Sequence, residues 1–204
     1  MQTNHQTPAL SLRGVSKHFG GVRAVNNVTT DIAYGERRLF IGTNGAGKTT
    51  LFNLIAGDLP VSAGSIQLFG KDVTNMPTRK RVKLGMRRTY QTSALFDGLT
   101  VRQNFYLALL GEKKTGSHLN MLVHHRGNPG FEEKIQETAR TVGLEAKLDE
   151  DVSALSHGER RQLEFGLAII TDPQMLLFDE PAAGLSAEER KMMLQMIQSL
   201  SRDI

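Results

Sequence analysis

The stretch that decides the fold is GTNGAGKTT, residues 42–50. It matches the pattern Gly-x-x-x-x-Gly-Lys-Ser/Thr, follows a short strand-like segment, RRLFIG at 37–42, and precedes helical spacing at 48–56. Glycines in such a loop allow successive backbone N–H groups to point at one anion. Lys48 can then reach the terminal phosphates of a nucleotide, and the Thr49 hydroxyl can ligate Mg²⁺. Motif and context together predict nucleotide binding.

Composition places the chain among globular proteins. Its 204 residues suffice for one well-buried domain, with 39% hydrophobic and 23% charged residues. No apolar run approaches the roughly 18 residues of a membrane-spanning helix, and the first residues, MQTNHQTPALSLRG, lack the pattern of a signal peptide. The absence of cysteine excludes disulfides and thiolate metal sites. We therefore expect the chain to stay inside the cell.

The net charge of +4 and the pI near 9.5 raise the question of an anionic partner. Basic residues are concentrated in RKRVKLGMRR at 79–88. A charge run of this kind usually forms a solvated face, and this one lacks the interleaved aromatic residues that stack on bases. We therefore expect no nucleic-acid partner. Contact with lipid headgroups or with a membrane-bound partner fits the run at least as well.

Strand and helix signals alternate at both ends of the chain, which predicts an α/β sheet, and the mainly helical middle predicts an insertion into that sheet. The predicted strands cover 9–16, 24–33, 37–42, 65–70 and 175–180. The predicted helices cover 48–56, 100–110, 131–142, 157–170 and 186–200, the last with Ser186 as its N-cap. A polar loop that contains several glycines is expected at 111–130.

The phosphate-binding motif alone does not name a reaction, but MLLFDE at 175–180 supplies a second half of the site. Its apolar strand delivers Asp179 to the carboxyl end, where a carboxylate can hold the Mg²⁺ shell through water. Glu180, one residue further, is placed to orient a water against the γ-phosphate and to accept its proton. This pair indicates hydrolysis rather than phosphoryl transfer to a metabolite.

The segment ALSHGERRQLEFGLAII at 154–170 has two interpretations. In the first, Ser156 and Glu159 form a capping box that satisfies the free backbone donors of a helix start. In the second, the same helix start is an anion site, because it offers backbone N–H groups, a hydroxyl and a positive dipole end. The segment by itself favours the capping box, since capping boxes are common.

The whole set of motifs resembles the nucleotide-binding domain of ATP-binding cassette (ABC) proteins in order and spacing: GTNGAGKTT, Gln91 in RRTYQTSALF, LSHGE and LLFDEP. The segments KHFGGVRAV and DEPAAGLS are most similar to the ATPases of bacterial importers for branched-chain amino acids and related small polar solutes. The implied fold is an α/β P-loop NTPase of the ABC type, with an antiparallel β subdomain and a helical insertion. It implies one domain over 1–204, in which 1–90 and 151–204 form the RecA-like core with the β subdomain and about 91–150 form the helical subdomain.

The resemblance also implies roles for single residues. Phe19 would stack on adenine, Gln91 would contact Mg²⁺ and the attacking water, and Ser156 would contact ATP held by the opposite subunit. The implied catalytic residues are Glu180, Lys48 and Gln91, and the implied Mg²⁺ ligands are Thr49, Gln91 and Asp179. The implied ATP-binding residues are Phe19, Gly42, Asn44, Gly45, Gly47, Lys48, Thr49, Thr50, Ser156 and Gly158.

The activity implied by the resemblance is hydrolysis of ATP with Mg²⁺, in which ATP joins two ATPase subunits, identical or not, and cleavage releases them. The implied partners are ABC permease membrane subunits and, indirectly, a solute-binding protein, at the cytoplasmic face of the plasma membrane. The resemblance leaves two alternatives open. One is an export ATPase for lipid or lipopolysaccharide, and the other is a soluble ABC ATPase that acts on nucleic acid or ribosomes.

The sequence departs from the family pattern at several positions. His157 stands where the family usually has glycine, Glu159 where it often has glutamine, and Ser186 where many relatives carry aspartate. Relatives also continue into a strand that carries a histidine for the γ-phosphate, whereas this sequence stops at Ile204. We therefore expect that one or more C-terminal strands are missing and that hydrolysis is weaker than in a complete cassette.

Overall fold

A computed structural model describes residues 7–89, 95–112 and 129–200 of the chain. Within these ranges the chain forms two compact units, one up to Met86 and the other over 87–200. Among the described residues, no helix is both long and apolar enough to cross a lipid bilayer.

The first unit combines an antiparallel sheet with two helices. Its strands and helices are β1 (Leu10–Phe19), β2 (Val22–Ile32), α1 (Lys48–Ala56), β3 (Ala63–Leu68), β4 (Lys71–Asp72) and α2 (Thr78–Val82). The strand order is β2-β1-β3-β4, with β1 paired antiparallel to both β2 and β3. β1 is an interior strand of this sheet, and its Leu10 and Leu12 are fully buried. The antiparallel sheet predicted for the first part of the chain is therefore present.

The strand predicted at 37–42 is wrong for this structure. Residues 36–43 have no regular secondary structure, and the side chains of Leu39 and Ile41 are 77% and 87% exposed. Between them, Phe40 meets Phe52 of α1 edge to face, with 6.1 Å between the ring centroids. A strand exists only where a neighbouring strand pairs with it, and none of the strands in the described ranges pairs with this segment. The run of three apolar residues at 39–41 is therefore not sufficient for a strand.

The second unit is mainly helical around one hydrophobic core. Its elements are β5 (Met86–Thr89), whose first residue still belongs to the first unit, α3 (Val101–Glu112), α4 (Pro129–Thr141), α5 (His157–Ile169), β6 (Met175–Phe178) and α6 (Ala187–Ser199). Two short 3-10 turns, Glu145–Lys147 and Val152–Ala154, lead into α5. Phe105 of α3, Ile135 of α4 and Leu163 of α5 are each at most 1% exposed and belong to this core. The strands β5 and β6 form a two-stranded sheet.

The predicted helices after residue 100 are confirmed to within about two residues, which is the usual uncertainty of helix ends. The polar loop predicted at 111–130 lies mostly outside the described residues. The expectation of a solvated basic face at 79–88 is wrong at two positions. Arg81 is 1% exposed in α2, and the Arg88 side chain is 5% exposed in β5. Both guanidinium groups find buried oxygen partners, which a charge run in the sequence does not reveal.

Candidate nucleotide-binding and hydrolysis site

The phosphate loop, residues 42–50, joins an irregular segment to helix α1 in the first unit. Residues 42–46 and Thr49 are exposed, so the loop is accessible to a ligand. Gly45 and Gly47 have φ values of +81° and +87°, a backbone region that residues with a side chain rarely adopt. A Cβ atom added at Gly47 would also overlap the carbonyl oxygen of Ala24. Glycine at position 47 is therefore required both by its backbone angle and by the space around it.

The N-terminus of α1 is left open for an external anion. Its N-cap, Gly47, contributes no side-chain hydrogen bond, and no acidic residue lies in the first turn. By contrast, α5 and α6 begin with Ser156 and Ser186, each in a capping box completed by a glutamate. The first backbone N–H groups of a helix need acceptors, and the helix dipole favours negative charge at this end. The donor set at the start of α1 therefore fits a phosphate group.

Lys48 lies folded over the phosphate loop. Its Nζ donates hydrogen bonds to the carbonyl oxygens of Gly42 at 2.7 Å and Thr43 at 3.0 Å. These contacts hold an ammonium group beside the open helix N-terminus, where it adds to the positive field. Gly42, Gly47, Lys48 and Thr49 thus lie together where the loop enters α1.

The opposite end of α1 is anchored by Arg81, a residue that the sequence analysis did not single out. Its guanidinium donates to the carbonyl oxygens of Leu54 and Ile55, both at 2.8 Å, and it also donates to two oxygens of the preceding loop, those of Met76 at 2.8 Å and Thr74 at 3.2 Å. Burial lowers the pKa of Arg81, while the charges of Asp58 and Asp72 oppose this effect. A positive group at the last carbonyls of a helix complements its dipole.

Phe19, the predicted adenine-stacking residue, lies at the end of β1. Its side chain is 46% exposed, and the Lys17 ammonium lies 5.1 Å from the centre of its ring. An exposed ring face with a neighbouring cation is suited to stacking on a nucleotide base. Phe19 and the phosphate loop both belong to the first unit.

The start of α5 contains both features that the sequence left open. Ser156 Oγ accepts a hydrogen bond from the Glu159 N–H at 3.3 Å, and the Glu159 carboxylate accepts one from the Ser156 N–H at 2.8 Å. The capping box is therefore present. Ser156 and His157 are nevertheless exposed, so this helix end is accessible. Because a serine hydroxyl can accept one hydrogen bond and donate another, capping does not exclude phosphate binding.

A second carboxylate, Glu189 of α6, lies against the same helix end. The Glu189 side chain reaches the backbone of Gly158, and an added Cβ at Gly158 would overlap it. Hydrogen bonds from the Ser186 backbone and side chain, the nearby charge of His157 and the Gly158 N–H together lower the pKa of Glu189. The positive end of α5 therefore already faces an internal anion. The sequence does not reveal this contact, because it joins two segments about thirty residues apart.

Asp179 and Glu180 follow directly after β6 but differ in environment. Asp179 is 7% exposed, whereas Glu180 is exposed and has a φ of +52°. A left-handed backbone at a residue other than glycine costs free energy and is found more often at functional sites. The turn therefore presents Glu180 to the outside while it keeps Asp179 inside.

Asp179 has a buried partner. The Nη2 atom of Arg88 in β5 donates to Asp179 Oδ2 at 3.0 Å, and the two side chains are 5% and 4% exposed. In the described part of the chain, no group of three or more His, Cys, Asp or Glu side chains could hold a metal ion. The Asp179 carboxylate and the Thr49 hydroxyl are oxygen donors of the kind that Mg²⁺ prefers, and at nucleotide sites phosphates and water supply most of its other ligands. Gln91, the other predicted Mg²⁺ contact, lies outside the described residues.

The profile of the ABC transporter family matches residues 25–183, which is most of the chain. The chain belongs to the ABC transporter ATPase family. Members of this family are ATP-hydrolysing transport ATPases with a P-loop NTPase fold, so the predicted fold class and ATPase activity are confirmed. ATP as the nucleotide follows from the same match.

Similar proteins include LivG, a high-affinity branched-chain amino acid transport ATP-binding protein of Escherichia coli K12 and Salmonella typhimurium. LivG is 34% identical over 95% of this ABC ATPase chain and 77% of its own length. BraF of Pseudomonas aeruginosa, described in the same terms, is 32% identical over the same shares. The ADP conformation of MJ1267, an ATP-binding cassette of an ABC transporter, superposes with a TM-score of 0.78 at 29% identity, over 94% of this chain and 76% of that one.

Proposed function

We propose that this ABC ATPase energises the uptake of branched-chain amino acids or a related small solute. The support is its similarity to LivG and BraF, whose names describe branched-chain amino acid transport. Its partners would be the permease subunits of the transporter and, through them, a solute-binding protein. The ATPase would then act at the cytoplasmic face of the plasma membrane.

The observation that supports ATP binding most directly is the open N-terminus of α1 beside Lys48. In the proposal, the backbone of the phosphate loop and the Lys48 ammonium bind the β- and γ-phosphates, and Phe19 stacks on adenine. The exposed loop residues offer donors at the right place for this role. The full proposed set of loop residues is Gly42, Asn44, Gly45, Gly47, Lys48, Thr49 and Thr50.

We assign Mg²⁺ to the Thr49 hydroxyl, Asp179 and Gln91. When bound, Mg²⁺ neutralises charge on the phosphates during transfer to water. The Asp179 carboxylate contacts the Arg88 guanidinium, and its oxygens can accept hydrogen bonds from the waters of the ion. Glu180 is the proposed base, because its exposed carboxylate is available to accept a proton from the attacking water.

We further propose that two subunits close around ATP, with the start of α5 as the second half of each site. Ser156 would donate its hydroxyl hydrogen to the γ-phosphate of the opposite subunit while it still caps its own helix. The γ-phosphate would replace the Glu189 carboxylate at the Gly158 N–H, since both anions need the same donor. The second subunit would be another copy of this chain or a related ATPase.

Size measurement of the Glu180→Gln variant tests the dimer. Slowed hydrolysis should trap a dimer when MgATP is added, as measured by light scattering after gel filtration. Adding Ser156→Ala should abolish this dimer. Adding Ser186→Ala, which removes the equivalent cap of α6, should leave the dimer intact. A Glu180→Gln variant that binds MgATP to saturation and stays monomeric would refute ATP-driven dimerisation.

Uptake measurement tests the solute. Right-side-out vesicles that contain the chain with its co-purified permease subunits should accumulate labelled leucine when MgATP is enclosed on the ATPase side. Lys48→Ala should abolish accumulation, because it removes a phosphate contact. Vesicles that hydrolyse ATP but move no branched-chain amino acid would exclude this solute class.

A further inference from the structure

Arg88 belongs to the basic run at 79–88 but forms a buried ion pair with Asp179. Residues of such a run are usually solvated. A guanidinium and a carboxylate that are both about one-twentieth exposed have lost most of their contact with water. Each charge is therefore unfavourable unless the other is present. The pair therefore holds the Asp179 carboxylate against the Arg88 guanidinium.

The two neighbouring carboxylates after β6 differ in their exposure to solvent. Asp179 is buried and paired, while Glu180 is exposed. The contact from Arg88 engages Oδ2 of Asp179. In the proposal that follows, Oδ1 is the oxygen that contacts the Mg²⁺ shell.

We propose that Arg88 is a positioning residue that orients Asp179 toward the Mg²⁺ of bound MgATP. This inference rests on the proposed function, in which Asp179 contacts the Mg²⁺ shell. Residues that hydrogen-bond a metal-binding carboxylate control its orientation and, with it, the affinity of the metal.

The same geometry distinguishes Arg88 from its neighbour. Arg87 precedes it in β5, and successive side chains of a strand project to opposite faces. Arg87 has the same charge and length, so it is the matched control for a general loss of positive charge.

The test compares ATP affinity with and without Mg²⁺ by isothermal titration calorimetry. The ratio of the dissociation constant in EDTA to that in Mg²⁺ reports how much the ion strengthens nucleotide binding, independently of hydrolysis. We expect Arg88→Met to reduce this ratio about tenfold with little change in EDTA. Arg88→Lys should restore part of the ratio, and Arg87→Met should leave it unchanged.

The double variant Arg88→Met/Asp179→Asn separates positioning from folding. It removes both charges together, so no unpaired charge stays buried, and its melting temperature should recover relative to Arg88→Met. Its Mg²⁺ ratio should stay as low as that of Asp179→Asn alone. If Arg88→Met is too unstable to purify, the Mg²⁺ ratio is compared between Arg88→Lys, the double variant and the unmodified chain.

Two results have distinct meanings. A ratio for Arg88→Met within about twofold of the unmodified chain, while Asp179→Asn lowers it, would overturn the role of Arg88 and leave the proposed function intact. An unmodified chain whose ATP affinity does not respond to Mg²⁺ would overturn both the proposed Mg²⁺ site and the inference built on it.

Discussion

Gly45 and Gly47 share a left-handed backbone but differ in their surroundings. At Gly45 an added Cβ atom would meet nothing within 4 Å, whereas at Gly47 it would overlap the backbone of Ala24. The sequence motif specifies glycine at both positions without saying why. The structure separates a conformational requirement at Gly45 from a combined conformational and steric requirement at Gly47.

We therefore expect different costs for the two alanine variants. Gly45→Ala should lower the free energy of unfolding by about 1 kcal/mol, from backbone strain alone. Gly47→Ala should cost about 3 kcal/mol or more, because the loop must also move away from Ala24. Urea unfolding measures both, and calorimetry with ATP should show a larger loss of affinity for Gly47→Ala. Equal costs for the two variants would contradict the steric argument.

The carboxylates at the starts of α5 and α6 make stability depend on pH. Hydrogen bonds from the Ser156 backbone lower the pKa of Glu159, and those from Ser186 lower the pKa of Glu189. A carboxyl group whose folded pKa lies below its unfolded value stabilises the fold above that unfolded value. This stabilisation is lost as pH falls from about 4.5 through the lower folded pKa.

Glu159→Gln and Glu189→Gln should each weaken the fall in the free energy of unfolding as the pH is lowered. Chemical unfolding at several pH values between about 3 and 6 measures the slope. Glu188→Gln is the control, since Glu188 is an exposed neighbour of Glu189 in the same helical turn. An unchanged slope in both cap variants would mean that the capping boxes do not hold their carboxylates ionised in solution.

At the scale of single elements, α1 depends on what lies at its two ends. Its N-terminus is open and faces the phosphate-binding loop, whereas its C-terminus is fixed by Arg81. An added Cβ at the C-cap, Gly57, would lie 2.7 Å from the Arg81 Nε. A helix that is anchored at one end can hold the other end at a fixed place for a ligand.

Arg81→Met should therefore destabilise the first unit by about 3 kcal/mol, because several buried carbonyl groups lose their hydrogen bonds. Arg81→Lys should recover only part of this loss, since one ammonium cannot reproduce the planar fork of the guanidinium. Arg79→Met, at an exposed position of α2, should stay within about 0.5 kcal/mol of the unmodified chain. Similar unfolding curves for Arg79→Met and Arg81→Met would contradict the anchoring role.

The sequence predicts elements well where the local pattern and the tertiary fold agree. Both serine N-caps, Ser156 and Ser186, are confirmed together with the helices that they start. These signals are local, because a cap and its glutamate lie three residues apart on one helix. The phosphate loop is equally local, since one short motif contains the glycines and the lysine.

Prediction fails where the partner is distant in sequence. Arg88 and Asp179 are 91 residues apart, and Arg81 contacts carbonyl groups 26 and 27 residues away. Nothing in RKRVKLGMRR distinguishes the buried arginines from the exposed ones. The segment 37–42 fails for a related reason, since strand formation depends on pairing that the segment itself does not encode.

At the scale of the whole molecule, ligand binding and folding are linked. Each of the two units has its own buried apolar residues, and the phosphate loop belongs to the first. A nucleotide that binds only the folded loop must stabilise the chain. At concentrations well above the dissociation constant, the added free energy of unfolding grows with the logarithm of the ratio of nucleotide concentration to dissociation constant. The melting temperature therefore gives a measure of binding that does not require hydrolysis.

At about 100 times its dissociation constant, ATP should add about 2.7 kcal/mol to the free energy of unfolding. For a chain of this size, that corresponds to a rise of about 5–10 °C in melting temperature. Differential scanning calorimetry with MgATP measures the rise, and Lys48→Ala should reduce it because the ammonium no longer reaches the phosphates. Glu164→Gln, far from the loop in sequence and located on α5, should retain the full rise. A rise of the same size in Lys48→Ala would place the stabilising nucleotide somewhere other than the phosphate loop.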